Sequence, residues 1–153
     1  MKIKRPRILL ADDHEIFRRG LRSILESRPE LEICGEAVDG VDAVEKTKQL
    51  LPDIVLMDVS MPNIDGLHAT RLIRSELPNC RILILSQHDS PQVLAAALKS
   101  GASAYVTKSQ VAQTLLAALE SVIQGEPFNW NSHQLASETG DVGPAQREPK
   151  QFE

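Results

Sequence analysis

No apolar stretch in this sequence approaches the twenty or so residues that a helix needs to cross a bilayer, which excludes reading the chain as membrane-spanning. The opening Met1–Arg7 is basic, but the apolar run behind it, Ile8 to Ala11, is too short for the hydrophobic region of a signal peptide and meets Asp12 at once. Lysine and arginine form no cluster, and the formal charge is -4, so the chain has no electrostatic footprint for nucleic acid of its own. Neither GxGxxG nor GxxxxGK[ST] occurs, which removes the glycine-rich turns of a nucleotide-binding module. There are only two cysteines, Cys34 and Cys80, with no CxxC or metal-type spacing. Both are read as buried free thiols. A cytoplasmic protein is the expectation.

What is present fits one domain with a real core: 153 residues, 42% hydrophobic and 25% charged. Ile54 to Met57 is a continuous apolar run, the pattern of a strand buried on both faces of a parallel sheet, and it ends on the carboxylate of Asp58. Pro62 cannot donate to a ladder, so the strand stops there, and Asn63–Gly66 reads as a turn, with Asp65 as a helix cap. Ile8–Ala11 repeats the logic, stopping at Asp12-Asp13. Arg81–Leu85 stops at Ser86, and Ala102–Thr107 stops at Lys108. Leu31–Val38 alternates more than the others, as suits a strand near the sheet's edge.

Between these runs, apolar residues recur at helical spacing: Ile16, Phe17, Leu21, Ile24 and Leu25; Val41 to Leu51, closed by Pro52; Leu67, Leu72, Ile73 and Leu77; Pro91 to Lys99, capped by Gly101; Val111 to Ile123, ended by Gly125. Five strand-then-helix repeats predict a doubly wound α/β fold, a (βα)5 parallel sheet between two helical layers. Residues 1–125 form the expected domain. From Glu126 the periodicity fails, and 126–153 reads as a linker or tail in which Phe128 and Trp130 could pack back on the domain.

The strand ends gather Asp12, Asp13, Asp58, Ser86 and Lys108 at one sheet edge, with the second strand alone contributing nothing. Three carboxylates there need a cation, and hard oxygen ligands suit Mg2+ or Mn2+. A hydroxyl and an ammonium beside them suit an anionic phosphoryl group, and an Asp nucleophile, here Asp58, can form an aspartyl phosphate. Asp12 and Asp13 are placed at the metal, Ser86 and Lys108 at the phosphoryl oxygens. The histidines 14, 68, 88 and 133 share no ligand spacing and read as solvated or capping residues, with His88 able to border the pocket. Tyr105 reads as half-buried packing.

Leu10–His14, Leu56–Gly66, Ile84–Ser86 and Tyr105–Lys108 together resemble the receiver domain of bacterial two-component response regulators, over about residues 6–124. Ala11–Leu21 resembles most the nitrate-regulator subfamily, whose output is a LuxR-type helix-turn-helix. The resemblance implies the flavodoxin-like strand order 2-1-3-4-5 and phosphotransfer from a sensor histidine kinase to Asp58. It implies Mg2+ held by Asp13, Asp58 and the backbone carbonyl of Ser60, slow self-hydrolysis, and a switch in which Ser86 moves toward the phosphoryl and Tyr105 rotates inward. It further implies a homodimer on phosphorylation and control of transcription, with DNA bound only through an output domain that the chain does not contain; Arg147–Glu153 faintly resembles the start of one. Gln87 stands where the family carries a small residue, and Ser109 where many relatives carry proline.

Three other function classes compete with this one. A hydrolase of the haloacid-dehalogenase type wants a second Asp two residues after the nucleophile, where this chain has Ser60. A stand-alone receiver would act through protein contacts. A phosphorylation-independent scaffold is disfavoured because every required side chain is present.

Overall fold

The computed structural model describes residues 5–126. Five strands and five helices alternate: β1 (Arg7–Ala11), α1 (Glu15–Glu26), β2 (Glu32–Ala37), α2 (Gly40–Leu50), β3 (Ile54–Asp58), α3 (Gly66–Glu76), β4 (Arg81–Ser86), α4 (Pro91–Ser100), β5 (Ala104–Thr107) and α5 (Val111–Gln124), with a 3-10 turn, Lys108–Gln110, before α5. All strand pairs are parallel, in the order β2-β1-β3-β4-β5. Helix α1 packs beside α5, while α2, α3 and α4 pack in sequence, so the sheet lies between two helical layers. Every residue of β3 is buried, which is why its sequence is apolar until the last position. The edge strand β2 is only partly buried, matching its alternating pattern. The expected tail, with Phe128 and Trp130, lies outside the described residues, as does His133.

Local chemistry explains most element ends. Asp65 accepts from the His68 N–H and caps α3, Ser90 does the same for α4 with Pro91 in its first turn, and Gly101 ends α4 at φ 99. Helix α2 ends at Leu50, one residue short of the expected Leu51: Leu51 adopts the left-handed conformation at φ 50 and its N–H reaches the Thr47 carbonyl. In α1 the buried face is carried by Leu21 and Leu25 with Phe17 and Ile24 beside them, and Ile16, counted among the apolar positions, is left 82% exposed. At about 100° per residue, Ile16 points a quarter-turn away from Phe17.

The cysteines divide. Cys80 is buried, and burial pushes its thiol up to about 12, which keeps it protonated. Cys34 is only half-buried, contrary to expectation, because the β1–β2 register shifts there: Ile8 pairs with Ile33 and Leu9 with Gly35, leaving Cys34 as the extra residue of a bulge.

Candidate functional site

β1 and β3 are neighbours whose following helices, α1 and α3, go to opposite faces of the sheet, so their carboxyl ends mark the point where the winding reverses, the place where such sheets bind ligands. Asp12 follows β1 and Asp58 ends β3, 0% and 1% exposed. The loop after Asp58 is held close: the Val59 N–H donates to the Leu85 carbonyl at 3.0 Å, and the Gly66 N–H to the Val59 carbonyl at 2.8 Å. Gly66 is required there, since a Cβ would stand 1.9 Å from the Asp58 carbonyl oxygen.

Lys108, just past β5, reaches back across the sheet edge. Its Nζ lies 2.8 Å from Asp12 Oδ2, 3.5 Å from Asp58 Oδ1 and 4.3 Å from the centre of the Phe17 ring. The 2.8 Å contact is an ion pair. Among the described residues, Asp12 Oδ2 and Asp58 Oδ2 are buried side-chain oxygens without a hydrogen-bond partner. Burial pushes the Asp58 carboxyl up to about 6, with the Asp12 charge adding to it, against the Lys108 ammonium and the Ser60 backbone N–H that pull it down. Desolvation wins because one ammonium serves two buried acids.

Asp13 completes the group from a more open position. One ligand atom from each of Asp12, Asp13, His14 and Asp58 lies within 4.8 Å of every other. Three carboxylates against one ammonium leave two negative charges in excess, and two of their buried oxygens lack a hydrogen-bond partner. That donor set fits a hard divalent cation.

Ser86 ends β4, 1% exposed, and is engaged with backbone: its Oγ donates to the His88 carbonyl at 3.1 Å and accepts from the His88 N–H at 3.0 Å. Tyr105, read as half-buried, is 4% exposed, and its hydroxyl donates to the same His88 carbonyl at 2.5 Å. Its ring belongs to β5 and faces inward because β5 is buried throughout. Ser86 and Tyr105 thus share one acceptor. Gln87 and the His88 side chain are exposed.

All five strand-end residues named from the sequence stand at this edge. The same reading missed three others. His14 is half-exposed and stands at the α1 N-cap, as a solvated or capping residue would, and its Nδ1 also lies 3.1 Å from Asp12 Oδ1 and 3.3 Å from Asp13 Oδ1. Phe17 serves as more than helix packing, since it lies beneath the Lys108 ammonium. The second strand also contributes, through Glu36, which accepts from Arg18 Nε at 2.7 Å while Arg18 Nη1 donates to the Asp12 carbonyl at 2.6 Å. The bonds from Arg22 and Arg18 hold the Glu36 carboxyl below its usual range. Only the adjacency of His14 to Asp12-Asp13 could have signalled its place; Phe17 and Glu36 carried no local signal.

The model of the response regulator receiver domain matches residues 8–120. Among curated proteins, the chain is 40% identical over 121 residues to the transcriptional regulatory protein DegU of Brevibacillus brevis, covering 79% of this chain and 51% of that protein. It is 42% identical over 119 residues to the transcriptional regulatory protein LnrK of Bacillus subtilis, covering 78% and 54%. The chain spans about half the length of the curated relatives it matches. Among solved structures, a LuxR-family two-component response regulator from Aurantimonas superposes with a TM-score of 0.79 at 36% identity, over 89% of this chain and 99% of that one. The signal receiver domain of the putative response regulator NarL from Mycobacterium tuberculosis gives 0.75 at 34% identity, over 81% and 100%.

Proposed function

Since the chain belongs to the response regulator receiver domain family, we propose that Asp58 is its phosphoacceptor, charged by the phosphohistidine of a sensor histidine kinase. The observation that carries this is the Asp58 carboxylate itself, 1% exposed at the switch point of the sheet, with one oxygen near the Lys108 ammonium and the other without a partner. A buried charge left so incompletely compensated is costly, and chemistry that uses it accounts for the cost. With its carboxyl at about 6, Asp58 is ionised at neutral pH and available as a nucleophile. An Asp58 oxygen attacks phosphorus, the N–P bond breaks, and the donor imidazole leaves with its electron pair and takes up a proton.

A divalent cation, Mg2+ or Mn2+, would be held by Asp12, Asp13, Asp58 and the Ser60 backbone carbonyl. It supplies charge neutralisation for the phosphoryl oxygens. Lys108 moves from carboxylate to phosphoryl oxygen, and Ser86 gives up the His88 carbonyl to donate to another. Tyr105, which shares that carbonyl, is the group through which this exchange is felt at β5. Moving an equilibrium from mostly off to mostly on takes about 5.5 kcal/mol. Hydrogen bonds to a charged group contribute roughly 1.5–3 kcal/mol each, so Ser86, Lys108 and one backbone amide suffice.

The phosphorylated form pairs as a homodimer and acts in the cytoplasm; that the relatives are transcriptional regulatory proteins supports transcription as its output, with DNA contact assigned to an output domain. Among the described residues no helix is long and apolar enough to cross a membrane. Acetyl phosphate with Mg2+ should add one acid-stable, hydroxylamine-labile phosphoryl group and raise the sedimentation coefficient, and Asp58→Asn should abolish both. Labelling that survives the substitution removes Asp58 from its role, and an unchanged sedimentation coefficient on full labelling removes the dimer.

A further inference from the structure

His14 belongs to the acid cluster by position but has no part in the roles assigned above. It stands at the N-cap of α1 without making a side-chain cap bond. Its ring turns instead toward the carboxylates, with Nδ1 at 3.1 Å from Asp12 Oδ1 and 3.3 Å from Asp13 Oδ1. The His14 backbone N–H donates to Asp12 Oδ1 at 2.8 Å, so the residue is tied to the cluster at both ends. In an octahedral site with metal–ligand distances of about 2.1 Å, neighbouring ligand atoms stand about 3.0 Å apart and opposite ones about 4.2 Å. The Nδ1–oxygen separations are those of neighbours, and the whole group lies within 4.8 Å, from which a contraction of about half an ångström reaches the opposite span. Acid crowding is not the only sign of a cation here: Asp58 Oδ2 is buried in the same group without a hydrogen-bond partner.

We propose that His14 Nδ1 is itself a ligand of the divalent ion, making this a mixed nitrogen–oxygen site that favours Mn2+ and Co2+ over Mg2+. The proposal rests on the reading of the acid cluster as a metal site and names its selectivity. Mg2+ takes oxygen ligands and keeps its waters, so an imidazole adds little to its binding. Affinity for nitrogen rises from Mn2+ through Co2+, so the same imidazole adds progressively more. As a ligand, Nδ1 would offer its lone pair and carry no proton, and Nε2 would carry the ring proton, which the half-exposed ring can present to water. His68 and His88 lie outside the group.

Calorimetric titration of the whole chain with MgCl2, MnCl2 and CoCl2, beside His14→Asn and His14→Gln, tests this. Partners that only orient metal ligands are worth about 10- to 100-fold in affinity, so removing a ligand should weaken Mn2+ and Co2+ by about tenfold or more while Mg2+ stays within about twofold. Pulsed electron paramagnetic resonance of the Mn2+-loaded wild type should show nitrogen coupling that is lost in His14→Asn and kept in His88→Gln. Coupling that is absent from the loaded wild type, or that persists in His14→Asn, overturns the proposal while leaving the metal site standing. An equal loss for all three ions also overturns it, reducing His14 to a group that positions the carboxylates. Failure of the wild type to bind any of the ions overturns the site and the proposal together.

Discussion

At the amino-terminal rim of the sheet, Arg7 donates from its backbone N–H to Asp53 Oδ2 at 2.9 Å and from Nη1 to the Leu50 and Leu51 carbonyls at 2.6 and 3.1 Å. Arg81 donates to the Val122 carbonyl at 2.7 Å. Both guanidinium groups close the carboxyl ends of helices, α2 and α5, where carbonyls are left over and the dipole is negative. At the opposite rim, Asp12 and Asp58 each keep a buried oxygen without a hydrogen-bond partner, and one ammonium stands between them. Charges of the same kinds serve structure where backbone groups answer them. Where they go unanswered, the fold carries a cost, and that cost distinguishes the working rim from the structural one.

The largest test of this contrast is Lys108→Met, which keeps the stem and removes the charge. Without bound metal, two buried carboxylates then face each other with no ammonium between them, and denaturant unfolding should report a loss of about 3–5 kcal/mol. Millimolar Mg2+ should restore part of it. A loss no larger than that of an ordinary surface substitution breaks the comparison.

Asp58→Asn should act in the opposite direction. The folded carboxyl titrates at about 6 against a reference of 3.8, so the unfolded chain gives up this proton first as pH rises. Stability of the metal-free protein therefore falls between about pH 4 and 6 and stays at its lower level above that. Removing the charge should recover up to about 3 kcal/mol at pH 7 and nothing below about pH 4. Thermal melts across that range check both the sign and the window; a destabilised variant at pH 7 contradicts the reading of this rim.

Arg7→Met at the other rim should cost about 1–2 kcal/mol, the worth of its bonds to helix-end carbonyls. That cost should be the same with or without millimolar Mg2+. A marked dependence on Mg2+ would mean that the two rims are coupled and the contrast is not one of place.

Much of the site was legible because its residues end strands. A buried parallel strand is apolar throughout, so a charge or hydroxyl at its last position is conspicuous in one dimension, and Asp12, Asp58, Ser86 and Lys108 all stand out in that way. Phe17, Glu36 and Arg18 did not stand out, because each serves the site through a partner distant in sequence. Phe17 lies under an ammonium from beyond β5, and Glu36 steadies the arginine that holds the Asp12 carbonyl.

By itself the sequence determined the alternation of strands and helices, the caps at Asp65 and Gly101, and which side chains stand at strand ends. These follow from the period of apolar residues and from turn chemistry, both properties of neighbouring residues. Tertiary structure alone decided that Cys34 sits on a bulge, that Ile16 is left in water, that Tyr105 is buried against the His88 carbonyl, and that the His14 ring meets two carboxylates. Each of these depends on which segments pack together and at what register, and distances across the sheet are not encoded in spacing along the chain.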